Sequence, residues 1–326
     1  MKNHSQTNTR PSAGGRPSIG GRPSVGGQAV MEGVMMNGKS HYAVSVRKTD
    51  GEIHTELFDH VSATEKHKVL ALPIIRGVVR FVESLVVGMR TLNYSADFFM
   101  EEEAAPKKKE GTVGRWLQDH MDSIITGVSM VLAVVLCMGL FVALPVLVSK
   151  LVYEHLIHSV YLMGLVEGVV KMILFLLYLL LVSKVKDIAR TFEYHGAEHK
   201  TINCFEAGEA LTVENVKQYS RFNKRCGTSF LFIIMLVSIL VFSFVQVSDP
   251  LLRFVSHLVL VPVIAGISYE LLKFSAKSES KLINALVAPG VFIQHITTNE
   301  PDEQEIEVAI ASVKKLLEAE HPEIKV

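Results

Sequence analysis

The chain has 326 residues, of which 49% are hydrophobic and 20% charged, and its mean hydropathy is +0.31. That is too apolar for a pair of ordinary soluble domains and points to a membrane protein. The 33 basic residues balance 33 acidic ones, which gives no reason to expect nucleic acid as a partner, and 3 cysteines set no disulfide framework, so reduced thiols are expected.

From the N-terminus, residues 11–28 repeat with a period of six, in blocks that start at Pro11, Pro17 and Pro23 and carry paired glycines. Such blocks cannot bury enough apolar surface to offset chain entropy, so residues 1–25 are expected to be a disordered basic tail. The tail lacks the apolar core of a cleavable signal peptide and is read as a tether. A cytoplasmic module of mixed α/β character is expected over 26–105. Within it, 42–48 and 53–57 flank Asp50-Gly51 and predict a β-hairpin with a tight turn. Residues 69–90 are apolar except at Arg76, Arg80, Glu83 and Arg90, which fall on one helical face. That pattern suits a helix lying in the headgroup plane with its arginines toward the phosphates of anionic lipid. The alternative is a helix packed on a soluble core, with Arg80 and Glu83 paired.

A charged linker over 106–122 hands the chain to the membrane. Residues 123–149 and 227–248 contain no charge and exceed the roughly 20 residues needed to cross a hydrocarbon core. Residues 160–183 are interrupted only by Glu167 and Lys171, spaced as a same-helix ion pair, and 252–273 complete four expected transmembrane helices. The Lys and Arg residues beside the span ends sort cleanly. Lys107 to Lys109, Lys184, Lys186, Arg221, Arg225, Lys273 and Lys277 fall on one side, against Lys150 and Arg253 on the other. The expected protein is therefore an α-helical integral membrane protein of the inner membrane, with both termini and the 184–226 loop cytoplasmic. In the 274–326 region, residues 301–319 predict an amphipathic helix that docks on the N-terminal module.

The chemistry concentrates in the 184–226 loop, where His195-Gly196-Ala197-Glu198-His199 reads H-x-x-E-H. On a helix, residues four apart share a face, so both imidazoles can grip one divalent metal, zinc among the candidates, while Glu198 acts as general base. Glu270 is the favoured third ligand because a carboxylate at the cytoplasmic membrane boundary needs a reason to be there; Glu206 and Glu209 are the alternatives. Cys226 reads as a small buried residue where the loop meets a span, or as a nucleophile paired with His199.

The segments 26–36, Leu72-Pro73-Ile74-Ile75-Arg76-Gly77, Glu193 to Lys200, Arg225-Cys226-Gly227-Thr228-Ser229-Phe230, Ala265 to Glu270 and Pro289 to Asp302 together resemble the YqhQ-like family. These are bacterial membrane proteins of unknown function, provisionally called metal-dependent enzymes, and the likeness covers nearly everything after residue 25. It implies a metal site. One departure bears on that site: before Arg225 the family usually has His-Pro, and this chain has Asn223 and Lys224. The functional expectation is a metal-dependent hydrolase at the membrane face; the rival is a non-catalytic adaptor or regulator that engages another membrane protein.

Overall fold

A computed structural model describes residues 22–103, 128–129, 131–156, 159–245, 250–277 and 280–324. Most of the expected tail and the whole 106–122 linker lie outside these residues. Two compact units are present: Met1–Phe99, Leu179–Val237 and Leu258–Val326 form one, and Met100–Tyr178 with Ser238–His257 the other.

The first unit begins with a four-stranded antiparallel meander: β1 (Gly26–Val30), β2 (Gly33–Asn37), β3 (His41–Arg47) and β4 (Ile53–Asp59), in the order β1-β2-β3-β4. The β3–β4 pair turns at Asp50-Gly51, where Gly51 takes a φ of 88°, open to glycine at little cost. An antiparallel sheet with one wet face would alternate apolar and polar residues. Here most of β2 and the middle of β3 are buried without alternation, because both faces are covered. One face carries Val30, Met35, Tyr42, Val44 and Val46 against Val87 of a long helix, α2 (Ile75–Glu103), which follows a one-turn helix α1 (Ala63–Lys66). The other presents Val34, Met36 and Ala43 to two later helices of the same unit.

The second unit holds most of the apolar helices. Among the described residues, three helices are long and apolar enough to cross a membrane: α3 (Val131–His155, with a π turn over Gly139–Ala143), the Leu162–Val182 part of α4 (Val160–Val182), and, after two intervening helices, Gly227–Phe244. Within that unit Gly164 and Gly168 let α4 approach the last of these closely. A Cβ added to Gly168 would stand 2.4 Å from Ile239 Cγ1, and one added to Gly164 3.1 Å from Ser243 Cα. Small residues four apart are the usual means of such close helix contact in lipid. Lys171 Nζ bonds Glu167 Oε1 at 2.7 Å, so the charged interruption of α4 is satisfied within the helix.

The remaining helices are α5 (Lys186–Glu206), α6 (Val213–Lys217), α7 (Gly227–Phe244), α8 (Pro250–Lys277), α9 (Lys281–Thr297) and α10 (Glu303–Glu320). The expected fourth span, 252–273, lies inside α8, and α8 is not among the three helices that qualify by length and apolarity over the described residues. Tyr194, Ala197, Ile202 and Phe205 of α5, with Ile306, Ala309, Val313 and Leu317 of α10, close the second face of the sheet. A capping box opens α10: Asp302 Oδ1 accepts from Glu305 N–H, and Glu305 Oε2 accepts from Asp302 N–H, each at 2.9 Å.

On the arginine face of α2, Arg76 and Arg80 meet protein partners, while Arg90 is exposed. The Arg76 guanidinium grips Glu270 of α8 through two nitrogens, Nε at 2.6 Å. Arg80 pairs with Glu65 at 3.6 Å rather than with Glu83, whose carboxylate accepts from Ser62 Oγ and Ala63 N–H at 2.7 Å. Expectation and structure differ because side-chain spacing fixes which residues share a face and says nothing about what that face meets.

At the start of α10, Glu305 is 1% exposed; its Oε1 makes no hydrogen bond and has only Arg190 at 3.4 Å. Burial, with Asp302 and Glu193 nearby, raises its pKa to about 7 from 4.5, against the opposing Asp302 N–H and Arg190. A raised carboxyl stabilises the fold fully below its unfolded value and loses that contribution as pH rises through about 7. Glu305→Gln, neutral at every pH and still able to accept from Asp302, should match the native protein near pH 4.5. Above pH 7 it should be the more stable by on the order of 1–3 kcal/mol in thermal or denaturant unfolding.

Candidate metal centre

Helix α5 is buried along Tyr194 and from Gly196 to Phe205, although it carries Glu198, His199, Lys200 and Asn203 on that stretch. Buried polar side chains need partners, and for His199, Lys200 and Asn203 these include backbone carbonyls of the segment that follows α5. Lys200 Nζ donates to Lys217 O at 3.0 Å, His199 Nδ1 to Arg221 O at 2.6 Å, and Asn203 Nδ2 to Ser220 O at 2.7 Å. These bonds tie the chain after α6 to α5 and deliver Cys226 to the same spot.

The loop after α9 is fixed just as closely. Asn299 N–H donates to Phe192 O at 2.8 Å and its Nδ2 to Ala189 O at 3.0 Å, while His195 Nδ1 donates to Thr297 O at 2.8 Å. Gly196 makes room for this, since a Cβ there would stand 2.0 Å from Asn299 O.

The result is a convergence of three donors. The ligand atoms of His195, His199 and Cys226 all lie within 4.8 Å of one another, and the two imidazole rings meet edge to face with centroids 4.4 Å apart. A carbonyl oxygen only accepts, so each Nδ1 carries a hydrogen and each Nε2 is left to face the thiol; His195 Nε2 is 3.2 Å from Cys226 Sγ. An Nδ1–H bonded to a backbone carbonyl is how metal-ligating histidines are usually held.

Cys226 stands immediately before α7, and its Sγ lies 3.4 Å from Thr228 N, so the helix N-terminus favours a thiolate. Burial opposes charge on Cys226, but His195 and His199 override it and hold the thiol well below its ordinary value. Burial likewise opposes charge on His195, and the neighbouring Cys226 sulfur outweighs it, pushing the imidazole up to about 9. Two nitrogens and a sulfur of this kind fit a borderline divalent ion such as zinc, which binds thiolate and neutral imidazole together and keeps a position open when only three protein ligands are present.

Glu198 belongs to the same cluster without being one of the three. It is 4% exposed, with Oε2 3.9 Å from His195 Nε2, and burial raises its carboxyl above the usual range while His199 and His195 oppose the rise. Strand β1 lies directly over it, because a Cβ on Gly27 would stand 2.6 Å from Glu198 Cγ.

The carboxylates offered by the sequence as third ligands are placed elsewhere. Glu270 is held by Arg76, and Glu206 by Arg225. Glu209 lies past the end of α5, where its carbonyl faces Arg22 at 3.5 Å. The third donor beside the histidines is Cys226. Its weak signal in the sequence was a lone cysteine at the loop-to-helix boundary, 27 residues after His199. The Asn223 departure leaves the group of three intact. Asn223 serves through its backbone, its N–H donating to Gln294 Oε1 at 2.8 Å and its carbonyl accepting from Gln294 Nε2 at 2.7 Å.

Two glycine variants test this construction. Gly196→Ala drives a methyl into Asn299 O and should pull the Thr297 carbonyl from His195, lowering metal affinity on the order of 10–100-fold in a chelator competition. Gly27→Ala presses on Glu198 alone and should leave that affinity nearly unchanged.

Comparison with known proteins places the chain in a family. The family described as "Protein of unknown function (DUF1385)" matches residues 72–319. A protein named "Uncharacterized protein YqhQ", from Bacillus subtilis (strain 168), is 36% identical over 304 residues, which is 90% of this chain and 92% of that protein. No solved structure matches. The match runs from the turn before α2 into the last helix and includes both histidines, Glu198 and Cys226, and the chain belongs to the DUF1385 family.

Proposed function

We propose that this protein is a metal-dependent hydrolase whose centre, His195, His199 and Cys226, lies on the cytoplasmic side of the inner membrane. The observation that carries the reading is the commitment of both Nδ1–H groups to backbone carbonyls, which turns both Nε2 atoms and a thiolate-prone sulfur toward one point beside a buried carboxyl, where a metal would displace the proton shared by His195 and Cys226. A divalent ion held there supplies Lewis acidity to a water or to a substrate carbonyl or phosphoryl oxygen. The chain's own part is to orient and to move a proton. Thr297 O and Arg221 O fix the two rings, Thr228 N–H steadies the sulfur, and Glu198 takes a proton from the attacking water and returns it to the leaving group. The raised carboxyl of Glu198 suits both halves of that cycle.

The four-span topology is supported by a parity argument. The β-sheet, α5 and α10 share one hydrophobic core, so they lie on the same side of any membrane. Two spanning helices, α3 and α4, separate the sheet from α5. Between α5 and α10, α7 must be matched by a second crossing, and α8, with Val255, Val259 and Val263 exposed, is the helix long enough to make it. The basic residues beside the span ends put that shared core in the cytoplasm. A cysteine introduced at Glu154 should accordingly react with an impermeant thiol reagent from outside intact cells, and one at Glu303 only after lysis; labelling of the Glu303 site in intact cells would reverse the orientation.

Purified in detergent, the native protein should carry about one divalent ion per chain. Replacement by cobalt should give a thiolate-to-metal charge-transfer band that Cys226→Ser abolishes. His195→Ala and His199→Ala should each lose the ion, whereas Glu198→Gln keeps it and loses turnover. A native protein that takes up no zinc or cobalt at micromolar concentration would overturn the hydrolase reading and favour an adaptor.

A further inference from the structure

Helix α2 leaves a large apolar face exposed. Val82, Leu85, Val86, Met89 and Leu92 recur at the spacing of one helical face, and each is 43 to 62% exposed. The opposite face is spent on the protein, through Val87, Tyr94 and Phe98 against the sheet and through small and polar residues elsewhere. Gly77 meets Gly266 and Tyr269 of α8, where an added Cβ would stand 2.8 to 2.9 Å from its neighbours, and Gly88 sits on Gln28 of β1. Ser95 Oγ accepts from Met31 N–H at 3.2 Å, and Arg76 holds Glu270. The turn that leads into α2 adds further exposed apolar side chains, Val69 at 66% and Leu72 at 51%.

We propose that this face of α2, with the 69–75 turn, is embedded in the lipid at the headgroup and acyl-chain boundary, and that Arg76 and Arg80 hold the helix to the protein and do not bind phosphate. Lipid is favoured over a protein partner by what the patch continues into. Phe81 of α2 packs on Phe230 of α7 with ring centroids 5.7 Å apart, four residues after Cys226, and Gly77 packs on α8. The outward residues of those two helices beside the contact, Leu231 and Val263, are also apolar and exposed, at 44 and 41%. The α2 face therefore extends the surface of a helix apolar enough to enter a membrane, in a chain with two more such helices. An interfacial helix is recognised by one apolar face sunk to that boundary. Because the embedded side chains are themselves uncharged, the contact should form on neutral lipid and persist at high salt, unlike one made by a phosphate-binding arginine face. The embedded face also keeps Cys226 and its partners at headgroup level.

The test uses the full chain in phosphatidylcholine liposomes. Trp116, the one native tryptophan, is replaced by Phe, and Met89→Trp supplies the reporter, with Val86→Trp as a second reporter of the same face. Asp59→Trp is the aqueous control, since Asp59 is 96% exposed at its side chain. Brominated phosphatidylcholine should quench Met89→Trp and Val86→Trp strongly and Asp59→Trp hardly at all, with aqueous iodide giving the reverse order at low and high salt. Iodide quenching of the α2 reporters equal to the control would overturn the proposal. Protection from both quenchers would overturn it too, by showing a second copy or another protein on the face.

Discussion

Burial of a polar helix is the constraint on which the rest depends. Helix α5 packs beside α10 on one face of the β-sheet, and Tyr194, Ala197 and Phe205 supply the apolar surface that puts it there. His195, Glu198, His199, Lys200 and Asn203 are carried in with them. Leaving such groups unpaired would cost about 1–3 kcal/mol each, more for the charged ones. The chain on either side of α7 and α9 is therefore bent to bring carbonyls to the imidazole, ammonium and amide groups. Once those carbonyls are in place, the positions of Thr297, Arg221 and Cys226 follow, and with them a group of three donors that could hold a metal.

The same logic sets the contacts around the centre. Arg190, one turn before Tyr194, pairs with Glu32, and Tyr194 Oη donates to the other oxygen of that carboxylate at 3.2 Å. Glu32 stands in the β1–β2 turn at a φ of 47°, a left-handed conformation that a non-glycine residue keeps only when its surroundings hold it. Arg190 also reaches Glu305 at the start of α10. One guanidinium thus connects the sheet, α5 and α10, and with the β1–β2 turn held in this way, β1 lies against Glu198.

Two parts of the molecule answer to different solvents. The sheet and its helices follow the rules of a water-soluble core, with apolar side chains inside and a capping box to start α10. The helices α3, α4 and α7 expose Leu, Val and Phe, and α4 packs through the small residues Gly164 and Gly168. Helix α2 joins the two kinds of packing along its length: small residues at its N-terminal crossing with α8, and Val87, Tyr94 and Phe98 against the sheet further on. Such a helix shows four charges on one side and no simple amphipathic solution in water.

Much of this was legible in the residues. Long uncharged runs declare membrane-spanning helices because hydrocarbon tolerates little else, and Asp50-Gly51 between alternating segments declares a hairpin because few residue pairs fit so tight a turn. The H-x-x-E-H spacing placed His195 and His199 on one face because helical periodicity is local. Strands β1 and β2 were hidden, since a sheet covered on both faces loses the alternation that marks a half-buried one. The partner of each charged group was hidden too. Whether Glu270 meets a metal, Lys273 on its own helix or Arg76 depends on how a segment 194 residues away packs, and no local pattern carries that information. Sequence alone determined the β3–β4 hairpin, the long apolar helices and the shared helical face of His195 and His199, all of which are properties of short stretches. Only the tertiary structure decided that Cys226 joins the two histidines, that Gly27 lies over Glu198 and that Arg76 of α2 holds Glu270, because each is a contact between residues far apart in the chain and is fixed by packing.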